Sequence, residues 1–320
     1  ASNDKENLKK LGGGVLLYFI STTIISVTIG TILGLIFSPG KYLHQQAIVD
    51  HEQALANTAE STELSFGIND IPNAITNLLP DNPLASMVSG EMLSIVIFTI
   101  IIGVAVLSLP DDLLRPVKLL LSAIQEICMT VVKWAMLLVP VAVFGLMAQL
   151  TSSVGLNSLS GLGFYVLVVL IGLLLLIVIY LIVVSLLGKV NPLRFLRKIR
   201  DVQLLAFSTT SSAAVMPLSL ETAEEELEVD PAISNFIIPI GATVNMDGTA
   251  LYQTITTLFI AQAYGLEMGL MNVIVVVITI VAASIGTPAI PGGGVVILAS
   301  VLSSAGIPAE GIIIIIGVER

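Results

Sequence analysis

Of 320 residues, 55% are apolar and 11% are charged, less than half the charged share of an ordinary soluble domain. That excludes water as the main solvent for the chain. A net charge of −10 invites a basic partner, but the acids gather in residues 50–63 and 221–230, which read as solvated faces, and no nucleic-acid partner is expected.

In chain order, residues 1–37 carry the first span. No charge falls between Lys10 and Lys41, and the run 13–36 exceeds the ~20 apolar residues that a hydrocarbon core requires. Residues 38–68 read as an extracellular loop, polar and acidic, whose His44 and His51 are solvated. Residues 69–109 contain Pro72, Pro80, Pro83 and Gly90, each of which removes a helical hydrogen bond or loosens the backbone, so a broken helix is expected. Residues 110–155 and 156–190 read as two further spans. The lone cysteine, Cys128, allows no intrachain disulfide and no cysteine metal site, and is expected to be a small packing residue in its helix.

Residues 191–230 begin basic, turn apolar, pass through Ser208-Thr209-Thr210-Ser211-Ser212-Ala213-Ala214, turn apolar again and end acidic. Two arms too short to cross, meeting at a hydroxyl-rich tip, predict a re-entrant hairpin entering from the cytoplasmic side. Residues 231–266 form another span, and 267–309 a second hairpin. Its centre, Ser284-Ile285-Gly286-Thr287-Pro288-Ala289-Ile290-Pro291-Gly292-Gly293-Gly294, puts two prolines and four glycines into eleven residues and cannot continue a helix. Irregular backbone at membrane depth needs protein or a water-filled cavity to satisfy it, so this tip is expected to line a site; an extramembrane loop is the competing reading. Residues 310–320 begin a last helix. Two hairpins in opposite orientations suggest an inverted repeat on hydropathy alone. The start at Ala1-Ser2-Asn3-Asp4 and the stop at Gly317-Val318-Glu319-Arg320 both read as cuts, without a signal-peptide pattern.

Basic residues orient the spans. Lys5, Lys9 and Lys10 precede the first, Arg115 and Lys118 the third, and Lys189, Arg194, Arg197, Lys198 and Arg200 follow the fourth. A cytoplasmic N-terminus brings all three clusters to the cytoplasmic side.

Asp247 is the most informative residue. It lies mid-span in Thr243-Val244-Asn245-Met246-Asp247-Gly248-Thr249, where a carboxylate costs on the order of 3 kcal/mol on insertion scales and marks an ion path, a proton relay or a paired charge. A structural ion pair with Lys133 is the alternative, although Lys133 sits early enough in its helix to snorkel away. Gly248 is expected to loosen the helix there and free carbonyls to join the Asn245 amide and the Asp247 carboxylate. Such an oxygen set suits a small hard cation such as Na⁺. Thr243, Ser284 and Thr287 add hydroxyls if the second hairpin folds over this span, and Met246 offers a weak thioether contact or simply fills space. Thr209–Ser212 supply hydroxyls and amides at a helix terminus, a place for an anionic carboxylate, although serine and threonine also serve plain helix packing in membranes.

Three motifs in this order, Ser208-Thr209-Thr210-Ser211-Ser212 before Met216-Pro217, Asn245-Met246-Asp247-Gly248-Thr249, and Ser284-Ile285-Gly286-Thr287-Pro288 with Pro291 and Gly294, resemble those of the dicarboxylate/amino acid:cation symporters, the glutamate transporters and their prokaryotic homologues. The likeness runs from near residue 8 to the end. It implies an all-α integral membrane protein of glutamate-transporter-homologue fold, here a fragment lacking the first two spans and most of the last helix. It implies a homotrimer in the cell membrane, with a static scaffold and a transport domain that moves as an elevator. Residues 69–109 and 110–155 would belong to the scaffold, and 1–37, 156–190, both hairpins and 231–266 to the mobile part, with the second tip as extracellular gate.

By the same resemblance Thr210, Ser211 and Ser212 on the first tip, and Ile290 and Gly294 on the second, would hold the substrate, with Thr249 near its side chain. Sodium sites would draw on Gly241, Thr243, Asn245, Met246, Asp247, Ser284, Ile285 and Thr287, with Thr22 and Thr23 reaching Asp247 from the first span. Two departures stand out. Thr210 occupies the place where one archaeal branch carries an arginine, and Phe19 one where several relatives carry a tyrosine beside a sodium site. The implied activity is sodium-coupled symport of aspartate, glutamate or a C4-dicarboxylate. A proton-coupled or neutral amino acid symporter is the alternative within the family, and an ion channel or non-transporting receptor the one outside it. No metal triad, nucleophile with base, or phosphate loop points to an enzyme.

Overall fold

The computed structural model describes residues 2–42, 82–89, 98–99, 101–103, 105–106, 109–154, 158–266, 268–284, 287, 289, 292–315 and 318. The loop expected over 38–68, beyond Tyr42, and most of the broken helix expected over 69–109 lie outside the described residues. Regular structure among the described residues is helical throughout.

The chain divides into two compact units, Ser61–Ser152 and the combination of Ala1–Glu60 with Ser153–Arg320. The first contains α2 (Pro83–Ser89) and most of α3 (Asp111–Val154). Asn82 starts α2 by accepting from the Leu84 and Ala85 amides at 3.1 and 3.3 Å, which satisfies two of the donors that a helix start leaves open. On α3, Leu119, Leu120, Ile127, Trp134, Leu137, Val141 and Phe144 are exposed. Cys128 is exposed as well, so it does not serve as the packing residue expected of it within this unit.

The second unit is organised around α9 (Asp247–Ala263), buried on nearly every face. A helix without a solvent face belongs at the centre of a core. Around it pack α1 (Ser2–Phe37), α4 (Ser158–Leu187), α10 (Leu270–Ser284) and α11 (Gly293–Ser304). Thr254, Thr256 and Thr257 would be costly in that core, but each donates its hydroxyl to the carbonyl four residues back, at 2.7–2.8 Å.

Close approach depends on small residues along α1. A Cβ at Gly34 would lie 2.7 Å from Leu258 Cδ1, and one at Gly40, in the 3-10 turn Pro39–Tyr42 after α1, 2.2 Å from the Phe259 carbonyl, so glycine brings the end of α1 and this turn close to α9. Gln262 then fastens the end of α1, donating to the Gly34 carbonyl at 2.9 Å and accepting from the Gly40 amide at 3.0 Å. The opposite face of α1, with Leu17, Ile24, Ile25, Ile32 and Ile36, is exposed, as are Leu170, Leu174, Ile182 and Leu186 on α4. Apolar residues outward and hydroxyls inward suit a protein whose solvent is lipid. Two helices, over Gly13–Tyr42 and Gly161–Leu187, are long and apolar enough to cross a bilayer.

Both hairpins form. After α5 (Pro192–Lys198), capped by Asn191, the first runs through α6 (Arg200–Thr209) and α7 (Ser212–Glu221). Arms of ten residues each reach about 15 Å, half of the hydrocarbon thickness. The chain reverses at Thr210, left-handed at φ 50°, and restarts at Ser211, whose hydroxyl accepts from the Ala214 amide at 3.3 Å. A π-helical turn over Thr222–Glu226 leads into α8 (Pro231–Val244), and Glu224 accepts from Ser234 Oγ at 2.5 Å and Asn235 Nδ2 at 2.9 Å. The second hairpin pairs α10 with α11, and α12 (Ile312–Ile315) follows.

One expectation is revised. The span 231–266 is two helices, and the break falls at Asn245 and Met246, with ψ 72° and 54°; Gly248 lies inside α9 and loosens nothing. Thr22 bonds to the Asn245 side chain and Ser26 to the Asp247 carbonyl, so hydroxyls from α1 hold the residues on either side of Met246 in this interrupted geometry.

Candidate functional site

The helix break turns Asp247 into the first residue of α9, where its carboxylate faces the positive end of the helix dipole. Only 4% of it is accessible. Thr23 donates to Oδ1 at 2.6 Å, and Tyr180 from α4 donates to Oδ2. Ser26 donates to the Asp247 backbone carbonyl at 2.5 Å. Phe19, Thr22, Thr23 and Ser26 are all buried, a spacing of three and four that lays one face of α1 against the start of α9.

Asn245 completes the cage. Thr22 Oγ1 lies 2.9 Å from its amide. With the amide nitrogen turned inward, it donates to Thr22 Oγ1 at 2.9 Å and to the carboxylate at 3.2 and 3.3 Å. With the oxygen inward, two acceptors converge at that same distance, an arrangement that a cation between them would satisfy. With the Asn245 oxygen inward, Thr22, Thr23, Asn245 and Asp247 form an all-oxygen donor set with a single full negative charge, which fits a hard monovalent cation. Among the described residues no group of three or more His, Cys, Asp or Glu is placed to hold a metal ion. A small crevice lined by Phe19, Ile20, Thr23, Val244 and Val281 meets the cage at Thr23.

The other expected cation residues are not gathered around this carboxylate. Thr243 is exposed and donates to the carbonyls of its own helix, at Pro239 and Ile240. Ser284 and Thr287 are buried but donate to Val281 and Ala283, one turn back. Gly241 lies against Phe19, where a Cβ would come within 3.4 Å of the ring, and Met246 is half-buried at the break. Ile285 lies outside the described residues.

The two hairpin tips meet. Ser211 Oγ donates to the Ala289 carbonyl at 2.8 Å, and the Ala213 amide donates to the same oxygen at 3.2 Å. Thr210 and Ser212 flank this junction and are exposed, whereas Ser211 is buried. Beyond it, a Cβ at Gly294 would lie 3.1 Å from Thr249 Cγ2, so two expected substrate residues are neighbours. Ile290, the third from this tip and span, lies outside the described residues. Gln253, fully buried on α9, donates to the Gly294 carbonyl at 2.9 Å and fastens the start of α11.

Sequence reasoning missed Tyr180, Ser26 and Gln253. Tyr180 is a polar tip within an apolar span, and Gln253 a buried amide six residues after Asp247; both carry the signal of an intramembrane polar group in need of a partner. Ser26 completes the helical spacing begun at Thr22 and Thr23.

The sequence profile of the sodium:dicarboxylate symporter family matches residues 1–320. The chain is 34% identical over 319 residues to the proton/glutamate-aspartate symporter of Escherichia coli, covering 99% of this chain and 72% of that protein. It is 32% identical to the proton/sodium-glutamate symport protein of Bacillus subtilis, over 100% of this chain and 73% of the relative. The human neutral amino acid transporter B(0) is also 32% identical, over 100% of this chain and 64% of its own length. The chain belongs to the sodium:dicarboxylate symporter family.

Proposed function

We propose that this chain is the greater part of a carrier that moves aspartate, glutamate or a C4-dicarboxylate across a cell membrane together with sodium. The observation that carries this reading is the Asp247 cage, a buried carboxylate ringed by hydroxyls and an amide beside the joined hairpin tips. The carboxylate draws a cation into a low-dielectric site, and hydroxyls replace its hydration shell without adding charge. Thr210, Ser211, Ser212, Thr249, Ile290 and Gly294 would hold the substrate, the first three through amides and hydroxyls at a helix start. Thr22, Thr23, Asn245 and Asp247 would hold one sodium ion. Gly241, Thr243, Met246, Ser284, Ile285 and Thr287 would serve a separate one.

The junction at Ala289 would break when the second tip opens toward the extracellular side. An elevator in a homotrimer with a cytoplasmic N-terminus is the mechanism we favour, and the division of the chain into two compact units supports it. Proton coupling is the second reading, favoured by relatives named as proton symporters. Neutral substrates are a third, favoured by the neutral Thr210 on the first tip and by the human relative. Uptake of aspartate and, in parallel, of alanine into proteoliposomes under a sodium gradient, a proton gradient or neither tests all three. Sodium-driven accumulation is expected, and equal uptake with and without sodium rejects sodium as the coupling ion.

A further inference from the structure

We infer that Tyr180 is a positioning residue of the cation cage and sets its preference among alkali cations; this rests on the reading that Asp247 holds the ion. The two carboxylate oxygens are held from different helices. Oδ1 accepts from Thr23 on α1, and both oxygens lie 3.2–3.3 Å from the Asn245 amide. Oδ2 accepts from Tyr180 on α4. Phe19, buried on the α1 face beside Thr22 and Thr23, brings no oxygen, so the phenol that reaches this carboxylate comes from α4.

A tyrosine is a stiff anchor. Its ring has two side-chain torsions, and its hydroxyl is carried at a fixed distance from the backbone. With Oδ2 tied to it and Oδ1 held by Thr23, the Asp247 carboxylate cannot turn or advance toward an ion lying among Thr22, Thr23 and Asn245. Selection between ions of one charge depends on cavity size, ligand number and the rigidity of the ligands. A tethered carboxylate fixes the size of the cage. Freed of its tether, it would follow a smaller ion inward.

The test uses the purified full-length carrier and reads the rise in unfolding temperature as NaCl or LiCl is titrated at constant ionic strength. Tyr180→Phe keeps the ring and removes the donor. Its preference for sodium over lithium, taken as the ratio of half-saturating concentrations, is expected to fall about tenfold, the scale of one hydrogen bond to a charged group. Tyr165→Phe is the control: that phenol, on the same helix, pairs with Thr256 at 2.7 Å, away from the cage, and its loss should leave the ratio unchanged. If Tyr180→Phe does not fold, 3,5-difluorotyrosine at position 180 keeps the donor and should keep wild-type preference; a lost preference there overturns the inference. So does a Tyr180→Phe ratio equal to that of Tyr165→Phe while Asp247→Ala abolishes the cation response, an outcome that leaves the cage itself standing. A wild-type sodium response in Asp247→Ala removes the cage and the role of Tyr180 together.

Discussion

The Asp247 cage and the junction of the hairpin tips belong to the same unit and are built on opposite plans. In the cage, side chains from α1, α4 and the α8–α9 break converge on one carboxylate, and Thr22, Thr23, Ser26 and Asp247 are all buried. At the tips, one hydroxyl and one amide share a single backbone carbonyl, with exposed Thr210 and Ser212 on either side. The first arrangement holds a fixed geometry. The second comes apart when two neutral hydrogen bonds break, each worth about 0.5–1.5 kcal/mol net. A carrier needs both: a rigid place to recognise an ion, and a weak seam to let solute in and out.

The comparison is broken most severely by Asp247→Ala, which removes the one full charge in the cage. Cation-dependent stabilisation of the full-length protein should weaken by about two orders of magnitude or more, while amide exchange at the tips without added cation stays as in wild type. Thr23→Val keeps the shape and removes the donor to Oδ1; half-saturation by sodium in the same titration should shift about tenfold. Ser211→Ala acts on the other side of the comparison. Losing the 2.8 Å bond to Ala289 should make amide exchange around the tips roughly 2–10-fold faster, without moving the cation titration. Tyr165→Phe touches neither region, and should lower stability by about 1 kcal/mol with both readouts unchanged.

How much of this was legible depended on the kind of signal. Asp247 announced itself, because a charge in an apolar span is costly. Both hairpins were legible from the shortness of their arms and the glycine and proline run of the second. The position of the helix break was not: Gly248 is the obvious weak point, yet the chain opens at Asn245 and Met246, where hydroxyls from a helix more than two hundred residues earlier bond the flanking residues. Propensity contains no term for such a distant partner. Tyr180 was hidden for the same reason, since nothing within α4 tells a phenol facing lipid from one on a carboxylate. Thr243, Ser284 and Thr287 show the converse: the first two satisfy their hydroxyls within their own helices and Thr287 donates to the end of α10, an arrangement that sequence cannot separate from ion binding.

Crystals of the full-length carrier grown with thallous ion, an electron-rich stand-in for a small monovalent cation, provide the most direct test. An anomalous peak at the Asp247 cage that disappears when excess sodium is added is the predicted result. No thallium at the cage, or a peak there that sodium does not displace, would contradict the account.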